Sequence, residues 1–86
     1  MKTNIIWRVR GYDFVLHKSD DPLFVDDEWV YELGRGGQVA VQVLSDGYFM
    51  PTHWDGETQR SWSDYQYRES ALYKAAEIID SLKKGK

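Results

Sequence analysis

The chain has 86 residues, a net charge of −3 and no cysteine, with four tryptophans, six tyrosines and three phenylalanines. This length holds one domain, 1–86, because a second core would need roughly 50 residues of its own. The composition excludes disulfide staples and thiol catalysis, and the negative charge excludes a dedicated duplex-DNA binder, whose phosphate contacts need a strongly positive surface.

The charge is uneven. Residues 1–19 carry four basic groups and one acidic, 20–32 six acidic and none basic, and 71–86 four basic and two acidic. The N-terminal stretch has Trp7, Arg8 and Arg10 where a signal peptide needs a long apolar run, so it reads as mature protein. No segment approaches the ~20 apolar residues of a membrane span. The expectation is a soluble, cytoplasmic chain with no membrane contact.

Asn4 to Arg10 alternates, with Ile5, Trp7 and Val9 on one side and Ile6, Arg8 and Arg10 on the other, the period of a half-buried strand. Gly11 and Tyr12 supply a two-residue turn. Closing it pairs Arg10 with Asp13, Val9 with Phe14 and Trp7 with Leu16, and on the other face Ile6 with His17 and Arg8 with Val15. A second hairpin runs from Glu28 to Leu44 around Gly34-Arg35-Gly36-Gly37. A three-residue loop there pairs Leu33 with Gly37, Tyr31 with Val39 and Trp29 with Val41, which gathers the large apolar residues on one face. Asp46-Gly47 signals a two-residue turn that opens a third hairpin, opposing Ser45 to Tyr48, Val43 to Met50 and Val39 to Trp54. Pro51 cannot donate to a ladder, so the strand around it is expected at an edge or bulged. Thr58 to Trp62 offers a short sixth strand, against which Pro51 argues, and 55–63 otherwise reads as a surface loop.

Leu72, Ala75, Ala76, Ile79 and Leu82 recur at helical spacing, lysines gather in the last turn and Gly85 follows. Ser63 or Asp64 suits the N-cap, with a start as late as Glu69 as the alternative. The expected fold is α+β: an antiparallel meander of five strands, about 4–10, 13–18, 28–33, 38–44 and 48–54, packed on one face by a C-terminal helix over about 65–83. Trp7, Phe14, Trp29, Tyr31 and Trp54 are expected beneath the helix, against its small residues. Tyr12 and Tyr48 are expected to be exposed near turns.

No cofactor motif or catalytic constellation stands out. Asp20, Asp21, Asp26, Asp27 and Glu28 crowd the connector between the first two hairpins, which suggests a hard cation or a basic partner. The spacing does not fit an EF-hand, since no glycine marks the turn and Pro22 to Val25 interrupts the carboxylates; a solvated connector explains it as well. His17 and His53 both fall on the face opposite the tryptophans, as polar residues of an exposed strand face rather than metal ligands. The serines lack an activating context. Gly34-Arg35-Gly36-Gly37 joins two strands, so it is a hairpin turn and not a phosphate cradle, with Arg35 presented at its tip.

The second sheet face remains. Ile6, Arg8, Val15, His17, Val30, Ala40, Leu44 and Phe49 point away from the helix, a mixture more apolar than a solvated face needs, unless Trp62 and its loop fold over it. The expected function is a non-enzymatic protein-binding or regulatory module. It would act on a protein partner or a second copy through Ile6, Arg8, Val15, His17, Val30, Leu44, Phe49 and Trp62, the Arg35 tip or the acidic connector. On that reading, Ile6→Asp or Phe49→Asp abolishes binding and spares the fold. The alternative is a single-stranded nucleic-acid binder using Arg8, Arg10, Lys18 and Arg35 beside exposed aromatics, although no RNP-type motif is present and the acidic 20–32 segment opposes it.

Overall fold

The computed structural model describes residues 5–17 and 27–84. Its strands are β1 (Ile6–Val9), β2 (Tyr12–His17), β3 (Glu28–Gly34), β4 (Gly37–Val43), β5 (Phe49–Trp54) and β6 (Gln59–Ser61), followed by one helix, α1 (Arg68–Lys84). The strands form one antiparallel sheet in chain order, β1-β2-β3-β4-β5-β6. The α+β meander with a C-terminal helix is therefore the observed architecture, with the short sixth strand that Thr58 to Trp62 offers present at Gln59–Ser61 beside the expected five.

The helix lies on one face because its small and branched residues recur on one side: Ala71, Leu72, Ala75, Ala76, Ile78 and Ile79 are buried. Beneath them sit Val9, Phe14, Trp29, Val39 and Val41, with Phe14, Val39 and Val41 fully inaccessible. The rings meet at angles rather than stacked. Trp7 and Trp29 are edge to face at 6.1 Å, as are Tyr12 and Tyr31 at 5.2 Å.

The β1–β2 turn differs from expectation. Arg10 and Gly11, at φ 52° and 86°, form its two central residues, the left-handed pair of a type I′ turn. Its pairs are Arg8 with Asp13, Trp7 with Phe14 and Ile6 with Val15, instead of Arg10 with Asp13, Trp7 with Leu16 and Ile6 with His17. Moving the turn by one residue shifts the register by two, and a shift of two leaves each side chain on its expected face. In β3–β4 the pairs Trp29 with Val41 and Tyr31 with Val39 are as expected. The pairing of Leu33 with Gly37 is not: Gly34 faces Gly37, and an irregularity between Glu32 and Gly34 takes up Leu33.

The β4–β5 hairpin is the consequential correction. Val43 faces Phe49, Val41 faces Pro51 and Val39 faces His53, where the sequence suggested Met50 opposite Val43 and Trp54 opposite Val39. The Gly47 N–H donates to the Leu44 C=O at 3.0 Å and the Leu44 N–H to the Tyr48 C=O at 2.8 Å, which closes a loop of three residues, Ser45-Asp46-Gly47. Gly47 takes the left-handed position at φ 88°, as the third residue of such loops does. One extra residue in the loop changes the register by one and turns every β5 side chain over. Phe49 and His53 therefore face the helix, and Met50 and Trp54 face away from it.

Pro51 sits in regular register with β4 in a strand that has neighbours on both sides, contrary to the edge position or bulge expected for it. It tolerates this because its backbone polar edge points toward β6, where its C=O accepts from the Trp62 N–H at 3.0 Å and the missing N–H goes unused. The β5–β6 ladder stops at Thr52 with Ser61. The helix starts at Arg68, later than Ser63 or Asp64 would cap it. Two backbone hydrogen bonds between Phe49 and Tyr65, of 2.7 and 2.9 Å, hold the preceding segment extended. Gly85 lies outside the described residues.

Candidate functional site

Strand alternation and the observed registers define the face away from the helix. Its centre is a row across all six strands: Ile6, Val15, Val30, Ala40, Thr52 and Ser61, each opposite the next. One flank carries Arg8 opposite Asp13, then Glu32, Gln38, Trp54 and Gln59 in mutual register. The other carries His17, Glu28, Gln42 and Met50. Among the described residues, no element lies over this face. Ile6 is 54% exposed, Val15, Met50 and Trp54 are half-buried, and Val30, Ala40 and Thr52 are buried.

Most of the residues suggested by sequence are there, but not all. Ile6, Arg8, Val15, His17 and Val30 share this face. Leu44 lies just past β4, half-buried in the loop. Arg35 is exposed at the β3–β4 tip with φ 55°. Phe49 is a correction: it packs against the core on the helix side. Trp62 is another. It also packs against the core and does not fold over the open face. His53 leaves the open face with Phe49 and does not join His17. Tyr12, expected to be exposed, is half-buried and packed against the core. In their place the open face gains Met50 and Trp54.

The charges on the open face are local pairs with an acidic remainder. The Arg8 Nε donates to the Asp13 Oδ1 at 2.6 Å. That guanidinium holds the Asp13 carboxyl below its ordinary range, chiefly through the hydrogen bond. Glu28 accepts from the Gln42 amide at 3.0 Å, and Glu32 is exposed. Asp20, Asp21 and Asp26 of the acidic connector, and Lys18, lie outside the described residues. Asp27 precedes β3, and its C=O accepts from the Val43 N–H at 2.8 Å. Among the described residues no group of three histidine or acidic side chains gathers to hold a metal.

The remaining perturbed groups are structural fastenings. At the top of the helix Asp80 accepts from the Tyr12 hydroxyl and from the Arg10 Nη2 at 2.9 Å. Those donors, Tyr12 first and then Arg10, lower the Asp80 pKa, and the Asp80 carboxylate raises that of Tyr12. Lys83 lies 4.9 Å over the Tyr12 ring and Arg10 lies 5.9 Å over Tyr73. The Asp55 carboxylate is lowered by the backbone N–H groups of Thr58 and then Glu57, with which it closes the β5–β6 turn. Arg68 opens the helix with its guanidinium 4.2 Å over Trp7 and 5.5 Å over Trp29, capping the tryptophan pair. Arg8 is thus tied to Asp13 on the open face and Arg10 to the helix, so the arginines suggested for nucleic acid do not form one basic strip.

The molecule is thus a small α+β domain with one sheet face covered by α1 and the other without an element over it among the described residues, and no helix among those residues is long and apolar enough to cross a membrane. No family model matches the sequence, and comparison with curated proteins and with solved structures finds no match.

Proposed function

We propose that this domain is a non-enzymatic protein-binding module and that its open sheet face receives a partner with a basic rim. The observation that carries the reading is the six-strand row from Ile6 to Ser61, with no described element over it. Small side chains in its second half, Ala40, Thr52 and Ser61, let a partner approach the sheet closely. Met50 and Trp54 flank them on β5 and Ile6 lies at the far edge, apolar anchors of the kind on which interface energy concentrates. With Arg8 consumed by Asp13, the carboxylates of Glu28 and Glu32 set the sign of the rim. That sign favours a basic partner over a second copy of the same acidic face. Single-stranded nucleic acid gains no support, since Arg8 and Arg10 are tied to Asp13 and Asp80 in different places and leave Arg35 alone at the β3–β4 tip. Binding rather than catalysis is favoured because Asp13, Asp55 and Asp80, the perturbed carboxylates, are each occupied in hydrogen bonds that hold the fold.

A photo-crosslinking residue at Gln38 tests this against one at Ser70 on the outer side of the helix. The partner joined through position 38, once purified, should bind more weakly as salt rises and more weakly to Glu32→Lys and Trp54→Ala, with Tyr73→Ala unchanged. A partner joined only through position 70, or affinity indifferent to Trp54→Ala, defeats the proposal. Sedimentation of the protein alone separates the self-association outcome: a dimer crosslinked through position 38 would make a second copy the occupant and contradict the basic partner.

A further inference from the structure

On the helix side, a groove of about 280 Å³ opens between the β5–β6 hairpin and the second half of α1. Its strand wall is the cross-strand pair His53 and Arg60, directly opposite one another. Its helix wall is Lys74, Glu77 and Ser81, which share one stripe of the helix by their spacing of three and four residues. Trp62, Ile78 and Leu82 complete the lining with apolar surface. This groove is separate from the open face, since the sheet lies between them.

The charge arrangement in the groove is lopsided. Arg60 makes no ion pair with any described residue, Lys74 is paired with Glu77 along the helix at 3.9 Å, and the Asp55 carboxylate outside the lining lies within electrostatic reach of His53, which leaves Arg60 as the unbalanced charge. Two basic side chains directly across a strand pair oppose one another when both are charged, and a third basic group faces them from the helix. Lys74 is not among the buried residues of α1, which are Ala71, Leu72, Ala75, Ala76, Ile78 and Ile79, so the core does not dictate a basic group at this place. The Arg60 guanidinium lies 5.1 Å over the Trp62 ring. A cation–π contact orients the group without neutralising it, so its fork of donors remains available.

We propose that this groove binds a small organic oxyanion, a phosphate or carboxylate carried on a compact apolar group, with Arg60, Lys74 and His53 as donors to the oxyanion and Trp62, Ile78 and Leu82 against the apolar part. Arg60 is matched to two oxygens at once by its planar fork, and Lys74 adds a point charge from the opposite wall. The volume lies near the lower end of ligand cavities, about 300–1,000 Å³, which suits a phenyl-sized group and not a nucleotide. Glu77 sets the polarity of the site by repelling a second acidic group and leaving one charged end to be recognised.

Titration of the isotopically labelled protein with phenyl phosphate, inorganic phosphate and benzoate, followed by amide and methyl shifts, tests the site. Phenyl phosphate should move the Trp62 indole and the Ile78 and Leu82 methyls together with His53. Inorganic phosphate should move His53 but leave those methyls in place, and benzoate reports whether a carboxylate serves equally. Arg60→Gln and Lys74→Gln, both at solvent-accessible positions, should each weaken phenyl phosphate about tenfold or more, the scale of one lost charge-assisted contact. Arg35→Gln, the same charge change outside the groove, should leave the affinity unchanged. Unaltered shifts elsewhere in the spectrum establish that the variants are folded. Absence of saturable shifts, shifts spread over all basic residues, or equal weakening by Arg35→Gln would each overturn the proposal.

Discussion

The two faces of the sheet are made by the same six strands, yet one is closed by α1 and the other carries no described element. On the helix side, Phe14, Val39, Val41 and Pro51 are completely inaccessible, and aromatic rings interlock with alanines of the helix. On the open side, only the middle of the central row is buried and polar residues run along both flanks. The difference teaches that in this fold stability and recognition are separated by the pleat. Adjacent residues in one strand belong to different problems, Phe14 to the core and Val15 to the surface.

The largest effects should therefore come from the helix side. Phe14→Ala should lower the free energy of unfolding by about 3–5 kcal/mol, the usual cost of emptying an aromatic core site. Val15→Ala should cost well under half of that. Denaturant titration measures both, and equal losses would erase the distinction between the faces.

Phe49 and Ile6 sharpen the same contrast with one substitution. Phe49→Asp places a carboxylate against the core and should destabilise by about 3 kcal/mol or more. Ile6→Asp, at a position 54% exposed, should change stability by no more than about 0.5–1 kcal/mol while weakening the partner. The sequence treats the two as equivalent surface positions; the register of β5 separates them.

A smaller effect is expected at the loop that decides this. Gly47 has φ 88°, so Gly47→Val should cost about 1–2 kcal/mol by forcing a β-branched residue into the left-handed region. Thermal unfolding reads this as a lowered Tm with the spectrum of the folded state preserved. A neutral result would mean that the loop does not need that conformation.

The pH dependence is the mildest handle, because the groups involved are partly exposed. Asp80 has a depressed pKa in the folded state, from the Tyr12 hydroxyl first and Arg10 next. Its contribution is therefore present above the unfolded carboxylate value of about 3.9 and is lost as pH falls through the lower folded value. Tyr12 has a raised pKa, with its bond to Asp80 as the main cause. Its contribution is present below the unfolded tyrosine value of about 10 and is lost as pH rises through the higher folded value. Asp80→Asn should flatten the stability profile at both ends, and identical profiles for the two proteins would remove this fastening from the account.

Much of the architecture was legible in the sequence. Strand alternation from Ile5 to Val9 and from Trp29 to Val43, and the helical recurrence of Leu72, Ala75, Ala76 and Ile79, identify the sheet, the helix and most of the core. The β1–β2 turn lies one residue earlier than Gly11-Tyr12 suggests, a two-residue shift that preserves faces but ties Asp13 to Arg8 instead of Arg10. What escaped was a single parity. A two-residue turn and a three-residue loop both use Asp46-Gly47 with the glycine left-handed, so the dipeptide does not distinguish them. Neither does the apolar pattern: Met50 with Trp54 and Phe49 with Pro51 are equally acceptable as inward pairs. The start at Arg68 lies near the later of the two starts the sequence offers, and the choice between them was not legible, since Ser63 and Asp64 are good caps locally and the nonlocal bridge from Phe49 to Tyr65 holds that segment extended. The groove was not legible because His53 and Arg60 meet only through the β5–β6 pairing, and Lys74 reaches them only through the packing of α1 on β5.

The faces assigned to Phe49, Met50, His53 and Trp54, and with them both proposed sites, rest on the β4–β5 register, and interstrand proton NOEs read it directly. Strong Hα–Hα contacts should join Val43 to Phe49, Val41 to Pro51 and Val39 to His53, because these pairs lie between the hydrogen-bonded ones. Contacts joining Val43 to Met50 and Val39 to Trp54 would instead return Phe49 to the open face and Trp54 to the core, and would contradict the account.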